Sequence, residues 1–354
     1  MSLSTPTLTL KRHLLVGAVM TATLVASSTT LAATTMRIAH LNPPDPTASN
    51  SGAMTAVFKQ LVETATNGEI KVEVFPAGQL GEDANVINQV GQGIVQSTIS
   101  SAGGVAEHYP RIGIFDIPFA FPNIAVATEV IDLESDFGQA LADDLEAETD
   151  GLKVLGLLDS GGFFQFTNSQ RPIETTADME GLRIRTMTLP THEAMINALG
   201  AEATPLAWSE VYTALQTGVA DGQMNPIQQT SFANFDEVQS YLTVSNHLIT
   251  PYVWLINEDF YNGLSAEQQT VVDWAADVAV DAGRSMSRII EASDNGLPKL
   301  AEGMEVNAIT PEARQAFVEM AQPAVRQVIA ERYGSEGEAL LASMLDAIDS
   351  ASTP

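Results

Sequence analysis

No cysteine occurs anywhere in the 354 residues, which excludes disulfides, thiolate metal ligands and a cysteine nucleophile. Basic side chains are scarce, 16 against 44 acidic ones, for a formal net charge of −28. A charge of that sign opposes binding to nucleic acid and to anionic membrane surfaces. Long apolar runs are missing as well: the best candidate, residues 14–25, falls well short of the roughly 20 residues that a membrane-spanning helix needs. That run follows Lys11 and Arg12 and gives way to the small, polar stretch 27–33, the layout of a secretory signal peptide cleaved after Ala32 or Ala33; a membrane anchor is its alternative reading. With no cysteine at the junction, a lipoprotein anchor is excluded. Loss of Lys11 and Arg12 from the 16 basic residues leaves 14, and a net charge near −30. Such repulsion is screened within a few Å at high ionic strength, so the expected source is a salt-loving bacterium and the expected location the periplasm.

Signatures of catalysis are also wanting. His192-Glu193 lacks the second histidine of a zinc-protease helix, and neither a Gly-x-Ser-x-Gly elbow nor a phosphate-binding Gly-Lys-Ser/Thr loop is found. The expectation is no enzyme, no cofactor and no metal; a hydrolase using two of the many carboxylates is the catalytic alternative.

What is present is ample material for folded cores: 45% hydrophobic residues and length for two domains. Strand periodicity covers 36–41, and the proline-rich loop behind it offers Asn42 and Asp45 to a cleft, with His40 a packed or capping histidine. An amphipathic helix over 51–66 turns Met54, Val57, Phe58, Leu61 and Val62 inward; a strand at 70–75, a helix at 83–91 and a strand at 94–100 follow. The loop from Ser100 to Gly104 brings bare backbone and the Ser101 hydroxyl to a strand end, His108 reads as structural, and 114–121 reads as core. A strand at 154–160 leads into a crossover, 161–168, carrying Phe164 and Gln165.

The stretch 181–226 organises the rest. Its alternating run Leu182-Arg183-Ile184-Arg185 sends both arginines to one side of a strand. A helix starting at Pro190 is closed by Gly200, and another starting at Trp208 by Gly218. A short strand then ends in the turn Gly222-Gln223-Met224-Asn225-Pro226. Beyond it lie strands at 241–246 and 252–256. A Ser265–Gln268 capping box opens a long helix to about residue 292, with Val271, Val272, Ala275, Val278, Ala279 and Ala282 inward. A helical region over 311–333 is interrupted at Pro323, and a last helix covers 336–348.

GLRIRT at 181–186 with PLAWSEVYTALQTGVADGQMNP at 205–226 resembles the solute-binding subunit of tripartite ATP-independent periplasmic (TRAP) transporters of the DctP type. VEVFPAGQLGED, FDIPFAFPN and FTNSQRPI add to the likeness in the family's order. The resemblance implies an α/β, two-domain periplasmic-binding-protein-like fold with a hinge and a long helix spanning both domains. After the signal peptide (1–33), domain I takes 34–162 and 251–290, and domain II takes 163–250 and 291–350. It further implies a small organic anion as ligand, a monocarboxylate such as a sugar, hydroxy or keto acid, and transient contact with the membrane permease subunits. Arg185 occupies the position whose guanidinium holds the ligand carboxylate, with Arg183 facing solvent or the interdomain space. Asn225 matches the amide of the DGQxN turn, with Met224 where relatives have Glu, and Trp208 matches a stacking aromatic or a core residue. Phe164 stands where many members carry a second arginine, as ligand contact or core. Ser101 and Gly104 replace the Glu and Arg of sialic-acid binders, which argues against that ligand. Asn42, Asp45, Thr188, Gln165 and Gln223 are the remaining polar candidates. The alternatives are a sensor domain presenting a solute to a membrane receptor, and a binder of a zwitterion such as ectoine, disfavoured by a missing aromatic near Gly104.

Overall fold

In a computed structural model of the chain, residues 1–4 and 33–353 are described; the expected leader and its junction at Ala32 lie, from residue 5 to 32, outside them. From Ala33 onward the chain is built on two sheets. The first has the order β2-β1-β3-β10-β4, from β1 (Thr34–His40), β2 (Ile70–Phe75), β3 (Ser97–Ser101), β4 (Leu152–Asp159) and β10 (Pro251–Asn257). The second has the order β11-β9-β5-β8-β6-β7, from β5 (Phe164–Asn168), β6 (Arg183–Thr186), β7 (Glu202–Pro205), β8 (Gly222–Pro226), β9 (Tyr241–Leu248) and β11 (Glu305–Ala308). β1 runs parallel to β2 and β3, whereas β10 is antiparallel to both its neighbours. β6 runs parallel to β7 and β8, and β5 is antiparallel to β8 and β9.

The chain passes from the first sheet to the second between β4 and β5 and returns between β9 and β10. These crossings lie side by side, tied by the Ser160 amide donating to the Thr250 carbonyl at 2.9 Å. At the first of them the buried Asp159 carboxylate accepts from the amides of Gly161 (3.1 Å) and Gly162 (2.6 Å) and from the Arg288 guanidinium (3.0 Å). Gly161 and Gly162 have φ of +141° and +105°, a region that side chains beyond hydrogen rarely enter. The third crossing is the helix Ala266–Ala292. Its start is the expected capping box: the Ser265 hydroxyl accepts from the Gln268 amide at 3.2 Å, and the Gln268 side chain accepts from the Ser265 amide at 3.0 Å.

That helix packs on the helix Asn50–Ala65 and on β4, and reaches the short helix Ile227–Phe232 beside the second sheet. Its buried stripe is Val272, Ala275, Ala276, Ala279, Val280 and Gly283. Val278, expected inward, is 37% exposed, because at 3.6 residues per turn it falls off the face that Val272, Ala275 and Ala279 define. Gly283 is needed where it stands: a Cβ there would sit 2.6 Å from Met54 Cγ. Beneath, Trp254 meets Phe58 edge to face at 4.9 Å and donates Nε1–H to Ser97 at 2.8 Å.

Other boundaries differ from expectation. The strand expected at 94–100 begins only at Ser97, and Ile94 is exposed. The helix Pro311–Val328 runs on through Pro323 and ends in a wide turn, Ile329–Tyr333. The last helix, Gly334–Ser352, packs against Ile124–Val130 and Asp136–Glu148.

His40 and His247 are buried at the ends of β1 and β9, and burial holds both neutral, at about 4 and about 3 respectively. The unfolded chain protonates its histidines from about pH 6.5 downward, so each costs the folded state stability as pH falls below that value. His247→Gln should therefore flatten the fall in unfolding free energy between pH 6.5 and 4 by about 1.4 kcal/mol per pH unit. Urea titrations at several pH values check this, and parallel curves for the two proteins would contradict it.

Candidate functional site

Between the two sheets lies a cavity with about 110 Å³ of free volume, space for several waters at the ~10–15 Å³ each occupies on that measure, or for a small solute. One wall comes from the loop after β1, the end of β3 and the start of the helix Asp83–Gly91; the other comes from β5, β6, β8 and the segment 206–208. The strand ends converge here, as in other open α/β sheets.

Arg185 is the centre of the second wall. It sits in β6, paired with Thr204 of β7 and Gln223 of β8, and is only 3% exposed. Its Nε and Nη2 donate to a single acceptor, the Leu206 carbonyl, at 3.1 and 2.7 Å. No carboxylate pairs with it among the described residues, and Nη1 is left without a partner and borders the cavity. Burial lowers its pKa to about 10, against the opposing influence of Glu82 and Glu210, so it remains cationic at neutral pH. Arg183, two residues earlier, is by contrast spent on structure: its Nε and Nη2 form a forked pair with Asp221, at 3.0 and 2.7 Å.

Around Arg185 the structure gathers most of the expected residues. Asn225 lines the cavity from β8; its Nδ2 donates to Gln223 at 2.5 Å, and Gln223 in turn donates to Thr167 at 2.9 Å. Gln223 is therefore a support behind Asn225 and not a wall residue. Trp208 presents one side to the cavity and packs the other on Phe232 and Phe235, with centroids 6.0 and 5.8 Å away. Phe164 lines the cavity while standing edge-on to His192, so it serves core and wall together. Asn42 is fixed at both ends, donating to Asn50 (3.1 Å) and Ser51 (3.0 Å) and accepting from Tyr252 (3.3 Å).

Ser101 and Thr188 also reach the wall. Residues 102–105 form a helical turn instead of the expected open loop. Its glycines are dictated by close approach: a Cβ on Gly103 would lie 2.9 Å from Met187 Cβ, and one on Gly104 only 2.1 Å from Asp83 Cβ. Thr188 donates to the Gly103 carbonyl at 3.4 Å, so the two walls touch along this edge.

Two candidates are not brought here. Asp45 is exposed and turned to its own loop, accepting from the Thr47 amide (2.8 Å) and hydroxyl (2.7 Å). Gln165 points to the strand on the far side of β5: its Oε1 accepts from the Ser245 and Asn246 amides at 2.8 and 3.0 Å, and its Nε2 donates to Asn246 at 2.7 Å.

Sequence reasoning missed Glu82, Asp83, Gln229 and Tyr252, all in the wall. Asp83 accepts from the Ser101 amide (2.9 Å) and hydroxyl (2.7 Å), both on Oδ2, and burial pushes its carboxyl up to about 6. Gln229 donates to the Ser160 carbonyl at the first crossing and to Tyr252 at 3.3 Å, while its buried Oε1 has no partner. Among the described residues, no cluster of His, Asp and Glu could hold a metal, and no helix is long and apolar enough to cross a membrane.

Residues 40–332 match the family described as bacterial extracellular solute-binding protein, family 7, DctP. The chain is 35% identical to the ectoine-binding periplasmic protein TeaA of Halomonas elongata, over 80% of this chain and 82% of that protein. It is 33% identical to the C4-dicarboxylate-binding periplasmic protein DctP of Rhodobacter capsulatus, over 85% and 88%. A solved structure, the sugar acid binding protein from Advenella mimigardefordensis in complex with galactonate, superposes with a TM-score of 0.83 at 32% identity, covering 90% of this chain and 99% of that one.

An unpaired buried cation is a cost to the ligand-free fold. Arg185→Met, similar in length and fully apolar, should therefore raise the stability of the ligand-free protein by about 1–4 kcal/mol, the range seen when buried charges are exchanged for packed apolar side chains. Chemical denaturation of dialysed protein measures it; a variant less stable than the parent would show that Arg185 is already satisfied.

Proposed function

This chain belongs to bacterial extracellular solute-binding protein family 7, and from that premise we propose that it captures a small organic monocarboxylate in the cavity between its sheets and delivers it to a TRAP membrane permease. Members of the family are transport proteins that bind solutes and are not enzymes. The observation that carries the choice of ligand is Arg185, a buried guanidinium with a free edge on the cavity and no carboxylate of its own. A planar fork shielded from water is suited to a carboxylate held by two parallel hydrogen bonds. It is the only Lys or Arg among the described wall residues, so a second carboxylate on the ligand would find no second cation.

The two lobes, each centred on one sheet, close about the paired crossings at 159–162 and 249–250, with the long helix as the third connection. Closure removes water from the ion pair and strengthens it, and forms the surface that the permease subunits meet. Residues 1–33 direct export, the mature chain acts in the periplasm, and the strong acidity fits a high-salt exterior. Asn225, Trp208, Phe164, Asn42, Ser101 and Thr188 complete the ligand's surroundings.

A thermal-shift screen of the mature protein against hydroxy, keto and sugar acids tests the reading. A ligand at 100 times its Kd stabilises by about 2.7 kcal/mol, which for a chain of this size raises the midpoint by roughly 4 °C. The same acids should give no shift with Arg185→Ala. Shifts with neutral sugars alone, or shifts that survive the substitution, would overturn it.

A further inference from the structure

Along one edge the cavity is shut by a contact much slighter than others that join the lobes. Gly103, from the helical turn 102–105, meets Met187 and Thr188 there; Gly103 is buried, Met187 half-buried and Thr188 exposed, and all three line the cavity. Among the described residues, one hydrogen bond runs from residues 101–107 to residues 186–189, the Thr188 hydroxyl donating to the Gly103 carbonyl at 3.4 Å. That is near the outer limit of such bonds, and water can replace it from the exposed side. The segment 110–121, by contrast, is tied into the second lobe by buried groups. The Asp116 carboxylate accepts from the Thr191 hydroxyl and from His192 (3.0 Å), and the Phe119 amide donates to the His247 carbonyl at 2.7 Å.

Each side of the edge is held within its own lobe. Ser101 pairs with Tyr252 of β10 and bonds Asp83 through its amide and hydroxyl, and Gly104 lies so close to Asp83 that a Cβ would come within 2.1 Å of it. Opposite, Thr186 pairs with Pro205 and its carbonyl accepts from the Leu206 amide at 3.1 Å, while the Met187 carbonyl accepts from the Leu189 amide at 2.8 Å. A side chain too large for the edge is therefore relieved by parting the lobes.

The backbone of Gly103 does not call for glycine: its φ lies outside the left-handed region, and alanine is the better residue for a helical turn. Space alone demands it, and the other lobe fills that space. An added Cβ would meet Met187 at Cβ (2.9 Å), Sδ (3.1 Å) and Cγ (3.2 Å), and of these Cβ is fixed to the backbone and cannot swing aside. A glycine required only by the facing lobe matters only while the lobes are together.

We propose that Gly103 against Met187 is the seat on which the lobes close, and that this edge is the one that parts to admit solute. The size of the side chain at 103 then sets how far the cavity shuts, whatever solute it takes.

The chain offers a direct test, since it has no cysteine and three tryptophans. Trp254 is fully buried, Trp274 is exposed on the long helix and Trp208 lines the cavity. In a Trp274→Phe background, quenching of tryptophan fluorescence by acrylamide therefore reads access to the cavity. Gly103→Leu should prop the edge apart. Gly103→Cys with Met187→Cys should lock it, because a small widening brings the two Cβ positions to the ~3.5–4.5 Å of a disulfide. In ligand-free mature protein, the quenching slope should be steeper for the propped variant than for the oxidised, locked one, and reduction of the locked protein should steepen its slope. Equal slopes in the propped and locked proteins overturn the proposal, as does a cysteine pair that fails to oxidise, which would show that the two walls do not meet in solution. If Gly103→Leu does not fold, the locked protein before and after reduction decides alone, and an unchanged slope overturns the proposal.

Discussion

A guanidinium shut away from water with a single carbonyl for company is the constraint on which the rest of this structure depends. Arg185 cannot leave the cavity, because it is set in the middle of β6 with strands on both sides. Nor is it neutralised there: its pKa, though lowered by burial to about 10, leaves it charged at any physiological pH. The fold tolerates the cost because the remaining side chains hold a large core. Arg183 shows the contrast within the same strand. It has a carboxylate, Asp221, and half its side chain in water, and is a structural ion pair.

The architecture around Arg185 lets two walls be made separately and then brought together. Two strand crossings and one helix connect the sheets. The crossings are held by polar bonds to backbone, from Asp159 to Gly161 and Gly162 and from Ser160 to Thr250. Gln229 and Tyr252 join this region to the wall: Gln229 bonds Ser160, and Tyr252 bonds both Gln229 and Asn42. Three side chains, Gln229, Tyr252 and Asn42, thus run from the first crossing to the cavity wall.

Much of the fold was legible because it rests on local rules. The Ser265 capping box, the glycine stops at Gly200 and Gly218, and the alternation of Leu182 to Arg185 each act within a few residues, and each stands in the structure. Val278 and Pro323 show where local rules give out. The face of a long helix is chosen by what it packs against, and a helix held by its neighbours can run through a proline. At the site, residues that read as polar at strand ends divided according to long-range partners. Gln165 bonds β9 from across the sheet, and Asp45 is consumed by Thr47 two residues away. Asp83 was hidden by its position, since an acidic residue at the start of a helix is the ordinary local choice. Only the fold shows that Ser101, at the end of β3, bonds it in the cavity wall.

The net charge of −28 makes the local arrangement matter more. An anion approaching this protein is repelled until it meets the one cation of the cavity wall, so the attraction must come from a short-range, water-excluded fork and not from the field of the whole molecule. The most direct test of that central claim is a crystal structure of the mature protein with its ligand bound. The account predicts a ligand carboxylate with an oxygen about 2.7–2.9 Å from an Arg185 Nη atom, inside the cavity and out of contact with bulk solvent. A carboxylate bound elsewhere, or an Arg185 paired with Glu82 or Glu210 beneath an occupied cavity, would contradict it.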